Sequence, residues 1–279
     1  FGPEDAQGNP ILMIARPAEK AVILNDRLDT PPVKITDEKG NETLKDTYSQ
    51  AFQYIEEQPD NGAKNYTVTA LCALEFTEPD IQALKGMTKT GRTLTFTGET
   101  SGGGVVQYGA CYHVILKGAE AEMPAGYQVT WDQPVKYTGP DGKNAVGLVG
   151  NGTSVTFGEK FLAAADTAVT VYGGAASGTC TTNAQINIRA GQFEAVYGGN
   201  KAGTHKGNAT ITVDSTGTGE DSITIRRLDG ADEGSETKAA GRTVTVTTVG
   251  NVTISNICHY DELSVKAKEV KGRDGKAAT

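Results

Sequence analysis

The sequence predicts an all-β chain wound as a parallel β-helix, a solenoid of short strands stacked lengthwise under an N-terminal capping α-helix. Three observations carry this. Val171-Tyr172-Gly173-Gly174 returns as Val196-Tyr197-Gly198-Gly199-Asn200, with the tyrosines 25 residues apart, and a strand plus a glycine turn at that period is one solenoid layer. Eight segments read apolar–polar–apolar: Leu94-Thr95-Phe96, Val155-Thr156-Phe157, Val169-Thr170-Val171, Ile186-Asn187-Ile188, Ile211-Thr212-Val213, Ile223-Thr224-Ile225, Val244-Thr245-Val246 and Val252-Thr253-Ile254. Finally, 35 glycines and only 6% aromatic residues suit many short strands around a thin core.

In chain order, residues 1–42 read as a strand-rich lead-in, with apolar runs at Ile11–Ile14 and Ala21–Leu24. Residues 43–270 form the predicted β-helix. It opens with a helix over 44–58, where Leu44, Tyr48, Ala51, Phe52 and Ile55 make one apolar stripe. Thr43 and Asp46 resemble a capping pair, and Pro59 stops the helix. Stacked parallel strands leave an open backbone edge at each end, and this helix is expected to cover the first. A second helix is expected over Glu78–Lys85, capped by Thr77 and ended by Gly86. The eight segments follow, each pointing its two apolar residues inward and its central polar residue outward. Gly-Asn-x-Thr at Gly40, Gly150, Gly207 and Gly250 marks corners, because Gly and Asn best tolerate positive φ. Residues 271–279 read as a linker or tail.

A formal net charge of −8 and a pI near 5.0 exclude a nucleic-acid partner, which needs a basic surface. No run approaches 18 apolar residues, so no direct membrane insertion is expected. The chain begins without methionine and is expected to be an excised fragment or a mature product. Cys72, Cys111, Cys180 and Cys258 are separated by 39, 69 and 78 residues. The even count permits two disulfides, the scatter within apolar strands favours buried thiols, and the spacing does not fit zinc. No cofactor and no metal site is expected.

Residues 43–257, through the helix, Tyr66–Leu71, Gly91–Gly98 and the two Tyr-Gly-Gly turns, resemble right-handed parallel β-helix proteins of the pectate-lyase-like superfold. More narrowly, they are similar to the Val-Tyr-Gly-Gly-Asn repeats of large surface proteins of gut Firmicutes. The irregular stretch 99–150 and the 217–241 insertion depart from that pattern. The resemblance implies a secreted or cell-surface, adhesin-like, non-catalytic module, part of a longer multidomain chain, that contacts a host glycan or surface protein. Two alternatives stand beside it: a carbohydrate-active enzyme, either polysaccharide lyase or glycoside hydrolase, and a structural spacer.

No catalytic residue is assigned. Tyr108, Tyr112, Tyr127, Trp131 and Tyr137 gather in the irregular middle and are the expected glycan contacts, since sugar rings stack on aromatic faces. Tyr172 and Tyr197, with Gly173, Gly174, Gly198, Gly199 and Asn200, are expected to be structural. Glycosidase chemistry would need Asp132, Asp166 and Asp214 to converge. Asp214, Asp221, Asp229, Asp232, Glu233 and Glu236 read as a solvated loop. His113, His205 and His259 read as ordinary histidines. Neighbours on a strand face opposite ways, so Cys258-His259 is not expected to act as a pair. Flat threonine rows also resemble ice-binding surfaces, here interrupted by Asn187, Arg189 and Arg226.

Overall fold

A computed structural model describes residues 31–100, 111–139, 144–215, 223–248 and 252–267. Ile11–Ile14, Ala21–Leu24, Tyr108, Asp221 and the 271–279 tail lie outside those residues. The chain is predominantly β, with long parallel sheets and two helices among the described residues.

The chain enters through β1 (Val33–Asp37) and β2 (Glu42–Lys45), an antiparallel pair. Helix α1 (Tyr48–Glu57) follows. The path then makes repeated passes between sheets. The first pass holds β3 (Asn65–Ala70), β4 (Leu74–Phe76) and α2 (Glu78–Lys85). Next come β5 (Thr93–Gly98), β6 (Val114–Leu116) and β7 (Glu120–Glu122), then β8 (Gln128–Asp132), β9 (Val135–Tyr137) and β10 (Ala145–Val149). Later passes contain β11 (Ser154–Phe157), β12 (Ala168–Tyr172) and β13 (Thr179–Cys180), and β14 (Ala184–Ile188), β15 (Gly191–Tyr197) and β16 (Thr204–His205). The last hold β17 (Ala209–Ser215) and β18 (Ile223–Asp229), then β19 (Arg242–Thr248), β20 (Val252–Ile254) and β21 (Ile257–Cys258). Strand β22 (Glu262–Ala267) closes the series.

The first strand of every pass joins a ten-stranded sheet in the order β2-β1-β3-β5-β8-β11-β14-β17-β19-β22. A seven-stranded sheet collects β7, β10, β12, β15, β18 and β20, with β21 beside β18, and β4, β6 and β9 make a third. From β3 onward every pairing is parallel. All eight apolar–polar–apolar segments lie in these strands. In β17 the alternation is complete from Ala209 to Ser215, buried at odd positions and half-buried at even ones. Strands β13 and β16 make a separate two-stranded sheet, and one continuous apolar cluster runs from Val33 to Val246 through the ten-, seven- and three-stranded sheets.

The first helix starts four residues later than its apolar stripe suggests. Residues 42–45 pair with β1, which takes the backbone the first helical turn would need. Leu44 is therefore exposed on β2, and Thr47 is the N-cap, its hydroxyl accepting from the Gln50 amide at 3.2 Å. The first parallel strand, β3, is covered by β1, which pairs antiparallel with it, and β2 forms the outer edge of the ten-stranded sheet. The helix covers side chains instead: Tyr48 and Phe52 pack on Phe76 and Phe96 with ring centroids 4.9–6.3 Å apart. Buried Arg92 donates to the Ile55 and Gln58 carbonyls, a cation at the negative end of the helix. The second helix has the expected bounds, cap and terminator, and the Thr77 amide donates to Asp80 at 2.8 Å.

Candidate binding face and a buried carboxylate cluster

Period-two geometry puts the polar residue of each apolar–polar–apolar segment outside, and parallel register aligns those residues from strand to strand. On the ten-stranded sheet the partners form one row: Thr67, Thr95, Thr130, Thr156, Asn187, Thr212 and Thr245. The row beside it is Asn65, Thr93, Gln128, Ser154, Gln185, Thr210 and Thr243. All are exposed or half-buried. None is charged, although 22% of the chain is. With strands about 4.8 Å apart, the two rows present hydroxyls and amides on a regular lattice roughly 29 Å long. Charge appears in the third row, at Lys34, Asp132 and Asp214, and at the two ends of the sheet, with Glu42 on β2 and Glu262 and Lys266 on β22. Arg189 lies in that third row, one position past Ile188, and Arg226 is on the seven-stranded sheet. Neither interrupts the neutral rows.

The aromatic residues of the middle stretch are placed differently from expectation. Tyr127, Trp131, Tyr137 and Tyr112 are all buried, so no ring face is open to a sugar; Tyr108 lies outside the described residues. Trp131 stacks on Phe96 at 4.4 Å, and the Tyr127 hydroxyl donates to Glu56 at 2.6 Å. Strand parity explains this: Tyr127, Val129 and Trp131 share one direction, and that direction is inward.

The repeat residues stack layer on layer. Tyr172 and Tyr197 are parallel register partners with rings 5.4 Å apart and 5° from parallel. The Gly173 and Gly174 amides donate to the Tyr197 and Gly199 carbonyls at 2.8 and 2.9 Å. Asn200 is fully buried, accepting from the Ala175 amide and donating to the Gly178 carbonyl. The register exposes a third copy of the phrase. Leu228-Asp229-Gly230-Ala231-Asp232 sits on Val196-Tyr197-Gly198-Gly199-Asn200, and Asp232 accepts from the Asn200 amide at 2.6 Å.

The carboxylates proposed for hydrolysis are not brought together. Asp132 and Asp214 are separated by β11 and β14, about 14 Å by strand spacing, whereas paired glycosidase carboxyls sit about 5–9.5 Å apart. Asp132 accepts from the Lys160 amide, and Asp166 lies 3.8 Å from Lys136. Of the acidic group read as a solvated loop, Glu233 and Glu236 are exposed and lie outside the strands, but Asp229 is not solvated. Asp229 is buried where a tyrosine would continue the ladder, and Glu233 accepts from the Tyr172 hydroxyl at 2.9 Å.

Asp229 organises a cluster that strand alternation argued against. Cys258 is its register partner on β21, with Sγ 3.2 Å from Oδ2. His259 adopts φ +53°, which breaks alternation and swings its ring to the same side. Its Nδ1 lies 3.0 Å from Oδ1 and 3.1 Å from Oδ2. Arg227 donates to Oδ2 through Nε and Nη2 at 3.1 and 2.7 Å, and the Ala231 amide donates to Oδ1 at 3.0 Å. Burial pushes against ionising Asp229, but these donors outweigh it and hold its pKa below the ordinary carboxylate range. Burial first, then the Asp229 carboxylate, pushes the Cys258 thiol up to about 11. The thiol therefore stays protonated at neutral pH and is not an activated nucleophile. Cys111, Cys180 and Cys258 are thiols, the first two buried. His205 is bonded to Arg242 and the Thr182 carbonyl, and His113 is buried elsewhere.

This cluster makes a pH prediction. Site-resolved alkylation should find Cys258 slow at pH 7.4 and faster as pH rises toward 11. Asp229→Asn removes the neighbouring negative charge, lowers the thiol's affinity for its proton and should speed labelling at pH 7.4 several-fold. Equal rates in the two proteins would contradict the coupling.

No family model matches the chain, and neither does any curated protein or solved structure.

Proposed function

We propose that the protein is a non-catalytic binding module, a secreted or surface-displayed right-handed parallel β-helix with α1 at its N-terminal end, that holds a neutral host glycan on its ten-stranded face. One observation carries this reading: the two adjacent uncharged rows from β3 to β19 in an otherwise acidic chain. Hydroxyl and amide groups exchange hydrogen bonds with sugar hydroxyls without stripping water from an ion. Each contact is weak alone, and the repeat supplies many in register along an extended chain.

A glycan array probed with the purified protein should identify neutral oligosaccharides. Thr156→Glu combined with Thr212→Glu adds two charges at half-buried outward positions and should weaken binding at least about tenfold, with the circular dichroism spectrum and melting temperature retained. Binding unchanged in that variant would remove the face from the reading. A blank array with capture of a defined surface protein would transfer it to a protein ligand, and blanks in both would leave a structural spacer. The regular spacing of the same rows favours one other reading, contact with ice, which a thermal-hysteresis measurement decides.

A further inference from the structure

We propose that Asp229, Cys258 and His259 form a binding site for a divalent transition metal of the zinc class. The three residues offer one oxygen, one sulfur and one nitrogen, and all three donor atoms lie within 4.8 Å of one another. Zinc bonds of about 2.0–2.3 Å in a tetrahedral centre place donors roughly 3.3–3.6 Å apart. Here the carboxylate-to-sulfur and carboxylate-to-nitrogen separations are 3.2 and 3.0–3.1 Å, so coordination requires shifts of only tenths of an ångström in those pairs. Three protein ligands of mixed softness suit zinc or cobalt better than calcium or magnesium, which prefer oxygen.

The backbone brings the donors together by two separate means. Parallel register sets Cys258 directly beside Asp229 on the next strand. The left-handed backbone at His259 is uncommon for a residue other than glycine, and it turns the imidazole onto the same carboxylate. Cys258 and His259 are partly exposed while Asp229 is closed off, which leaves a route for an ion from solvent. On coordination the thiol releases its proton to water and the metal–sulfur bond takes its place. Arg227 is the competitor. Its guanidinium rests on Oδ2 and lies 5.8 Å from the centre of the Tyr197 ring, and its side chain is 38% exposed, so an ion taking Oδ2 displaces it toward water.

The test uses the unmutated chain first. Cobalt(II) added to the reduced protein should give a thiolate-to-cobalt charge-transfer band saturating at one ion per chain, and zinc should abolish it by competition. Zinc should also protect Cys258 from alkylation and raise the melting temperature by about 5 °C at saturating metal. Cys258→Ser should remove the band, and His259→Ala should weaken cobalt at least about tenfold. Arg227→Gln should tighten it, because a competing cation is gone. A cluster that only pairs charges would show no band, and its Arg227→Gln variant would bind no metal. Absence of the band, absence of alkylation protection in the unmutated chain, or a band surviving Cys258→Ser each overturns the proposal. The protection measurement needs no variant, so it stands even where a substitution prevents folding.

Discussion

Replacing Trp131 with alanine should cost about 3–5 kcal/mol of unfolding free energy, the range for truncating a large buried aromatic. The side chain is fully buried, stacked on Phe96 at 4.4 Å and edge-on to Phe76 at 6.2 Å. Those rings in turn contact Tyr48 and Phe52 of α1, so the loss should spread to the helix. Trp131 is the only tryptophan. The parent can be followed by its emission, which should move to longer wavelength on unfolding, while the variant must be followed by circular dichroism. In urea the midpoint should fall with little change in slope. A loss below about 1 kcal/mol, the scale of an exposed position, would mean that the ring is outside and open to a sugar after all.

Gly178 and Gly203 occupy equivalent places on successive passes, each just before a register-paired threonine, Thr179 and Thr204. Both have positive φ, +79° and +93°, so alanine at either costs about 1–2 kcal/mol from backbone strain alone. They differ in what lies beneath. A Cβ at Gly178 would meet nothing within 4 Å, whereas a Cβ at Gly203 would overlap the backbone of Gly178 itself. Gly203→Ala should therefore lose a further 1–3 kcal/mol, the usual range for overpacking, giving about 2–5 kcal/mol in total. Thermal and urea denaturation of the two variants side by side measure the difference. Equal losses would show that the two corners are not stacked.

The strands were readable from sequence because apolar–polar–apolar alternation is a local property, and every segment with that pattern became a strand. The second helix was equally local, with Thr77, Asp80 and Gly86 all within a few residues of it. The start of the first helix was not, because β1 competes for residues 42–45, and that competition is a tertiary pairing. The aromatic residues of the middle stretch were locally readable too. Tyr127-Gln128-Val129-Thr130-Trp131-Asp132 alternates apolar and polar like the other strands, so the same local rule puts both rings inside, and the sugar-contact expectation rested only on the clustering of aromatic residues. The neutral face was legible only in part. Outward threonines follow from alternation, but their alignment does not, since successive members Thr95, Thr130, Thr156, Asn187, Thr212 and Thr245 are 35, 26, 31, 25 and 33 residues apart. The Asp229 cluster was hidden by the same irregularity. Its repeat copy lies 32 residues beyond Tyr197 rather than 25, and Leu-Asp-Gly-Ala-Asp keeps only its first glycine in common with Val-Tyr-Gly-Gly-Asn.

That unequal spacing has an evolutionary consequence. Tyr172, Tyr197 and Asp229 keep register although the detour joining the last two is seven residues longer. Insertions and deletions at the corners are thus absorbed without shifting the lattice, while duplication of a whole pass extends it by one strand spacing. A pass added in register would lengthen the stack by about 4.8 Å, one strand spacing. Reach can lengthen by copying passes while the corners diversify on their own.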